Sequence, residues 1–170
     1  TIRKIHDVLH GALSHASKLN MIGRNPADAV IKPRNPNKEM VILDESQISL
    51  LMIAAKDTRM EPILHLAVTT GMRQMELLGL KWSDLDWIKK TIKVERQLVR
   101  LDEGKVQFTS PQTKYGRRTI SLGSSAISVL RDRYERQHKE RQTAGDRWIE
   151  TDLIFTNSLG GPLEQRNLLR

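Results

Sequence analysis

The apolar residues of this chain change their period once, near Thr91, and that change constrains the fold more than any other feature of the sequence. Up to Leu80 they recur at three- and four-residue intervals, the spacing that lines side chains along one helical face. From Thr91 they alternate, with Ile92, Val94 and Leu98 on one side and Lys93, Glu95 and Gln97 on the other, the pattern of a half-buried strand. Val106 and Phe108 continue the alternation after a turn at Asp102-Glu103-Gly104. Arg118, Ile120 and Leu122 resume it after a second turn at Tyr115-Gly116. The chain therefore reads as α+β and mainly helical, with helices around a small three-stranded antiparallel sheet.

The helical part falls into two pieces. Residues 1 to 19 carry Ile2, Ile5, Val8, Leu9, Leu13, Ala16 and Leu19 at helical spacing, and a stop is expected between Asn20 and Gly23. Asn25-Pro26 then opens a short turn. Residues 32 to 40 hold two prolines, two asparagines and no large apolar side chain before Met40, which marks an exposed linker. A domain boundary is placed there: 1–31, a linker at 32–41, and 42–170. Asp44-Glu45-Ser46-Gln47 is a capping signature for a helix that buries Ile48, Leu51, Met52 and Ala55. Further helices are expected over 61 to 70, stopped by Gly71, and over 72 to 78, where Gly79 would take a left-handed cap. A long polar helix over 124 to 142 would turn Ile127, Leu130 and Tyr134 inward. A buried run at Leu153-Ile154-Phe155 follows, then a turn at Gly160-Gly161-Pro162 and a last helix from residue 163.

Twenty-eight lysines and arginines face 20 acidic residues, and a net charge of +8 attracts polyanions, among which nucleic acid is foremost. With no cysteine, disulfides, zinc ribbons and thiol nucleophiles are excluded, and a reducing cytoplasm suits the composition. No apolar run approaches the roughly 18 to 20 residues that span a bilayer, so no membrane partner is expected. His6, His10 and His15 share no metal-ligand spacing on one face, and no metal site is supported.

Chemistry concentrates in Thr70-Gly71-Met72-Arg73-Gln74-Met75-Glu76-Leu77-Leu78-Gly79-Leu80-Lys81-Trp82-Ser83-Asp84. Arg73, Glu76, Leu77 and Leu80 share one helical stripe, so an arginine and a glutamate lie on a face that also buries leucines. Desolvating them is unfavourable unless they pair or meet another charge. Arg73 also stands near a helix start, where backbone N–H groups favour an anion, and a fixed guanidinium can grip phosphate through two parallel hydrogen bonds. Spacing alone leaves two readings, a structural Arg–Glu pair or a phosphate grip.

The string Thr-Gly-x-Arg-x-x-Glu-Leu-x-x-Leu-x-Trp-x-Asp, carried by Thr70, Gly71, Arg73, Glu76, Leu77, Leu80, Trp82 and Asp84, resembles the first catalytic box of tyrosine recombinases and phage integrases. The helix at 1 to 19 with Arg24-Asn25-Pro26 is similar to the end of their core-binding domain, and the linker with Asp44-Glu45 to the entry of their catalytic domain. The resemblance implies that 1–31 closes a helical core-binding domain and that 42–170 is the N-terminal, truncated portion of a catalytic domain. It implies that Arg73 holds the scissile phosphate of double-stranded DNA and that Glu76 supports the site. Trp82 would serve packing and Asp84 a turn or cap. A protein of this kind works as an oligomer on DNA, through a 3′-phosphotyrosyl link that needs neither ATP nor metal, so no cofactor is implied.

The sequence departs from the family at two places. Relatives carry Pro-Lys-Thr, with the lysine as general acid, where this chain reads Pro111-Gln112-Thr113. Gln112 cannot act as an acid. Lys114, two residues on and on the same strand face, either takes the role or is an exposed lysine at a hairpin tip. Arg117 and Arg118 are expected as backbone-phosphate contacts or solvated charges. The family's His-x-x-Arg box and nucleophilic tyrosine are expected beyond residue 170, which makes this chain an incomplete and inactive fragment. His138-Lys139-Glu140-Arg141 matches that box only in letters, and neither Tyr115 nor Tyr134 matches the nucleophile. A non-catalytic DNA-binding module of the same fold is the alternative.

Overall fold

The computed structural model describes residues 2–32, 41–101, 105–111 and 116–163. The chain divides into two compact units, Thr1–Ile42 and Leu43–Arg170.

In the first unit, α1 (Ile2–Lys18) ends at Asn20, which takes the left-handed conformation at φ 57°. The Met21 N–H reaches back to the Ala16 carbonyl at 2.9 Å, so the helix stops before Gly23 is reached. Asn25 then ties the chain back. Its amide donates to Ser14 Oγ at 2.8 Å and to the His10 carbonyl at 3.2 Å, while its Oδ1 accepts from Ala27 N in the short 3-10 turn Pro26–Ala29. His10 and Asp28 meet at 2.8 Å across the same junction. The helix thus packs through its polar side. Within this unit its apolar stripe stays exposed, at Ile2, Ile5, Val8 and Leu9.

In the second unit, α2 (Glu45–Ala55) begins with the expected box: Asp44 accepts from Gln47 N at 2.8 Å, and the Gln47 side chain accepts from Asp44 N at 3.1 Å. Helix α3 (Glu61–Thr70) ends at Gly71 with φ 62°, as its position predicts. The next helix, α4, is only Gln74–Leu78, and Gly79 is right-handed at φ −89°, not the left-handed cap the sequence suggests. A different constraint acts on Gly79, since a Cβ there would lie 3.2 Å from the backbone of Arg96, Gln97 and Leu98.

The strands are shorter and more numerous than the alternation implies. A three-stranded antiparallel sheet is formed by β1 (Leu85–Asp86), β2 (Thr91–Val94) and β5 (Arg118–Ser121), in the order β1-β2-β5. A separate two-stranded ribbon joins β3 (Gln97–Arg100) to β4 (Val106–Thr109). The single strand expected over 91 to 98 is interrupted at Glu95-Arg96, where Arg96 turns to form an ion pair with Asp84. Ile92, Val94 and Leu98 are nevertheless all buried, because the interruption spans two residues and preserves the period of two.

Helix α5 (Ser124–Ala144) buries Ile127 and Leu130 as expected, but Tyr134 is 41% exposed and the inward position belongs to Arg133. Arg133 donates to the Ile154 carbonyl, to Thr156 Oγ1 and to Glu140, each at 3.0 Å. Gln137 donates to the Leu153 carbonyl at 2.9 Å and accepts from the Trp82 indole at 2.5 Å. The segment Leu153-Ile154-Phe155 lies buried outside any sheet, so side chains of α5 satisfy carbonyls that strand neighbours would otherwise take. A helix polar in composition is thereby part of the core.

Candidate functional site

The loop between α3 and α4 creates the site. Gly71 reverses the chain, Met72 anchors it in the core, and Arg73 takes an extended conformation (φ −69°, ψ 150°) as the residue before the first turn of α4. Arg73 is consequently not on the buried stripe with Leu77 and Leu80. The helix begins one residue later, and the guanidinium points outward with its side chain 78% exposed. Glu76, three residues on, is 2% exposed. Its Oε2 accepts from Arg73 N at 3.0 Å, filling one of the donors left open at a helix start.

The buried carboxylate has two arginine partners. Arg73 Nη1 lies 3.3 Å from Glu76 Oε1. Arg118, on β5, reaches it from the other side, with Nη2 at 2.8 Å from Oε2 and Nη1 at 3.3 Å from Oε1. Arg118 Nη1 also donates to the Gly116 carbonyl at 3.1 Å. Burial pushes the Glu76 carboxyl up. The hydrogen bond and charge of Arg118, with the backbone N–H and guanidinium of Arg73, together outweigh it and hold the group below its ordinary 4.5. Glu76 therefore stays ionised at neutral pH, and the cluster of two cations and one anion carries a surplus positive charge.

Sequence reasoning brings Arg73 and Glu76 together correctly and misses the third member. A signal for it exists: Arg118 alternates with Ile120 and Leu122 on the inward face of β5, where a cation needs a buried counter-ion. Arg117 points the other way, is exposed, and donates to Ser110 Oγ at 3.0 Å. With Arg118, Lys93 and Thr119 it lines an open cleft beside β2 and β5. Lys114 and Gln112 lie outside the described residues. The two ends of their segment are in contact, since Gly116 is buried and a Cβ there would fall 2.3 Å from Pro111 Cβ.

The remaining residues of the motif are structural. Trp82 stacks on Trp87 and meets Tyr134 edge-on at 5.0 Å. Asp84 caps the 3-10 turn Trp82–Asp84 by accepting from Lys81 N at 2.8 Å. His138 packs against the Tyr134 ring, and Arg141 pairs with Glu150. Among the described residues no group of histidines and carboxylates is arranged to hold a metal, and no helix is long and apolar enough to cross a membrane.

The profile of the phage integrase family matches residues 42–170. A XerC-like tyrosine recombinase of Caldanaerobacter subterraneus subsp. tengcongensis is 31% identical over the whole of this chain and 48% of its own length. An integrase of Streptomyces ambofaciens is 28% identical over the whole chain and 45% of its own length. The Tn1549 transposon integrase, solved in complex with a circular intermediate DNA, superposes with a TM-score of 0.77 over 95% of this chain and 52% of its own, at 22% identity. The chain belongs to the phage integrase family. It spans about half the length of the curated relatives it matches.

Proposed function

We propose that the protein is a site-specific DNA recombinase of the tyrosine type and that this chain contributes its phosphate-gripping arginine. One observation carries the reading: an exposed guanidinium, Arg73, is oriented at its base by an almost wholly buried carboxylate, Glu76. A donor fixed before the reaction stabilises the charge that develops on the non-bridging oxygens without reorganising. The partner is double-stranded DNA, and a net charge of +8 favours it. Residues 1–31 would close a core-binding domain, 32–41 tether it, and 42–170 form the N-terminal portion of the catalytic domain. The full protein would act as an oligomer on its sites; one lambda integrase structure is a tetramer bound to a Holliday junction.

In the reaction, a tyrosine oxygen attacks phosphorus and the bond to the 5′ oxygen breaks, leaving a 3′-phosphotyrosyl link. The departing 5′ oxygen takes a proton, for which Lys114 is the candidate donor. Arg73 stabilises the phosphoryl oxygens, Glu76 holds Arg73, and Arg117 is a candidate contact to a neighbouring backbone phosphate. Bond energy is conserved in the covalent link, so the chemistry calls for no nucleotide cofactor. The 170 residues alone are expected to bind duplex DNA without cleaving it, because neither Tyr115 nor Tyr134 matches the family's nucleophile.

A non-catalytic DNA-binding module is the second reading, favoured by Gln112 at the family's lysine position. A nicked suicide duplex given to the full-length protein separates the two. The recombinase reading expects a covalent protein–DNA adduct that disappears with Arg73→Ala. DNA binding with no adduct supports the module, and an adduct formed equally well by Arg73→Ala overturns the role of Arg73.

A further inference from the structure

We propose that Arg118 is a positioning residue for Arg73: it holds the Glu76 carboxylate from behind, so that the charge of Arg73 stays available to a DNA phosphate. The proposal rests on the reading of Arg73 as the phosphate ligand. It replaces the expectation that Arg118 touches DNA itself.

The geometry of Glu76 divides unequally between its two arginines. Arg118 makes the shorter contact, 2.8 Å to Oε2, and adds a second at 3.3 Å to Oε1. Arg73 makes one side-chain contact, at 3.3 Å. A carboxylate facing a single arginine would draw that guanidinium into a two-bonded fork and neutralise it. Here the fork is occupied by Arg118, and Arg73 is steadied by one Nη1 contact and its backbone N–H while its side chain remains 78% exposed. Arg118 is only 31% exposed and is further tied to the Gly116 carbonyl at 3.1 Å. For Arg118 to swing onto a phosphate it would have to abandon a carboxylate that is 2% exposed, which would then claim Arg73 in its place. Its anchor at Gly116 also fastens it to the base of the segment that carries Lys114.

The test is binding of a short fluorescent duplex by the 170-residue chain at fixed salt. Arg118→Met is expected to weaken binding about five- to tenfold, because Glu76 then neutralises Arg73. Glu76→Gln added to Arg118→Met is expected to restore affinity to within about twofold of wild type, since the neutral amide no longer competes for the guanidinium. A residue that merely packed would not be rescued by removing a second partner. If the double variant binds as weakly as Arg118→Met, or if Arg118→Met binds like wild type, the proposal is overturned. Should Arg118→Met fail to fold, the wild-type chain still decides: on adding DNA the Arg73 Nε–H resonance should move and that of Arg118 should stay. A larger shift at Arg118 would make it the phosphate contact. Arg73→Ala binding as tightly as wild type would instead sink the underlying reading, whatever Arg118 does.

Discussion

Glu76 and Asp84 occupy the same local device eight residues apart in the chain, and their difference separates a site from a brace. Each stands three residues into a short helical turn and accepts the backbone N–H of the residue before that turn, Arg73 for Glu76 and Lys81 for Asp84. Each is buried, and each pairs with an arginine from the strand region, Arg118 and Arg96 respectively. They differ in what the capped residue's own side chain does. Lys81 lays its ammonium over the Phe108 ring, 5.6 Å from the centroid, and leaves Asp84 to Arg96, which Glu95 also meets at 3.5 Å. Arg73 returns a guanidinium to the carboxylate and exposes the rest of itself. A cation matched by carboxylates makes a brace. A cation left over at the surface makes an anion site.

The sharpest way to break this comparison is to remove the leftover cation. Arg73→Ala in the full-length protein should lower DNA cleavage by about 10²- to 10³-fold, the scale of losing one preorganised donor. Its folding stability should move by less than about 0.5 kcal/mol, because the side chain is mostly in water. Lys81→Ala should leave cleavage within about threefold of wild type while costing a little stability through the lost ring contact. Equal losses of cleavage in the two variants would erase the distinction between the devices.

Removing the carboxylates should instead make the two regions behave alike. Glu76→Leu and Asp84→Leu each strand an arginine that was paired across the core boundary, and each should destabilise the chain by about 3 kcal/mol in urea melts. A markedly smaller loss at Glu76 would mean that the surplus charge already strains that site. A smaller effect still is expected beneath the site. Gly116→Ala puts a methyl 2.3 Å from Pro111 Cβ and should cost about 1–3 kcal/mol as the two ends of the 111–116 segment are pushed apart.

These contrasts also mark what the sequence discloses. Elements defined by local chemistry are readable: the Asp44–Gln47 box, the Gly71 stop, and the Arg73–Glu76 spacing are all satisfied within a few residues of chain. Features that depend on distant partners are not. Helical spacing puts Arg73 on the buried stripe, yet the helix starts one residue later and turns it outward. Alternation predicts one strand through Arg96, but the pull of Asp84 splits it. Tyr134 looks like the natural core residue of α5. The carbonyls of Leu153 and Ile154, which no strand neighbour takes, instead call for Gln137 and Arg133, a demand visible only once the segment is seen to lie outside a sheet. Arg118 falls between the two cases: its inward face is readable, its partner 42 residues away is not.

The finest test of the comparison is the pH dependence of stability at Glu76. Its folded carboxyl is held below the ordinary 4.5, so near that pH the unfolded chain binds more protons than the native one. The contribution of Glu76 is therefore complete above its unfolded value and is lost as pH falls through the lower, folded one. As pH falls below about 4.5, wild-type stability should drop more steeply than that of Glu76→Gln, which has no proton to gain there. Because burial opposes the arginines at this carboxyl, Arg118→Met should shrink or invert the difference in slope. If instead Arg118→Met leaves the slope unchanged, Arg118 does not carry the charge of Glu76, and the surplus at Arg73 would need another origin.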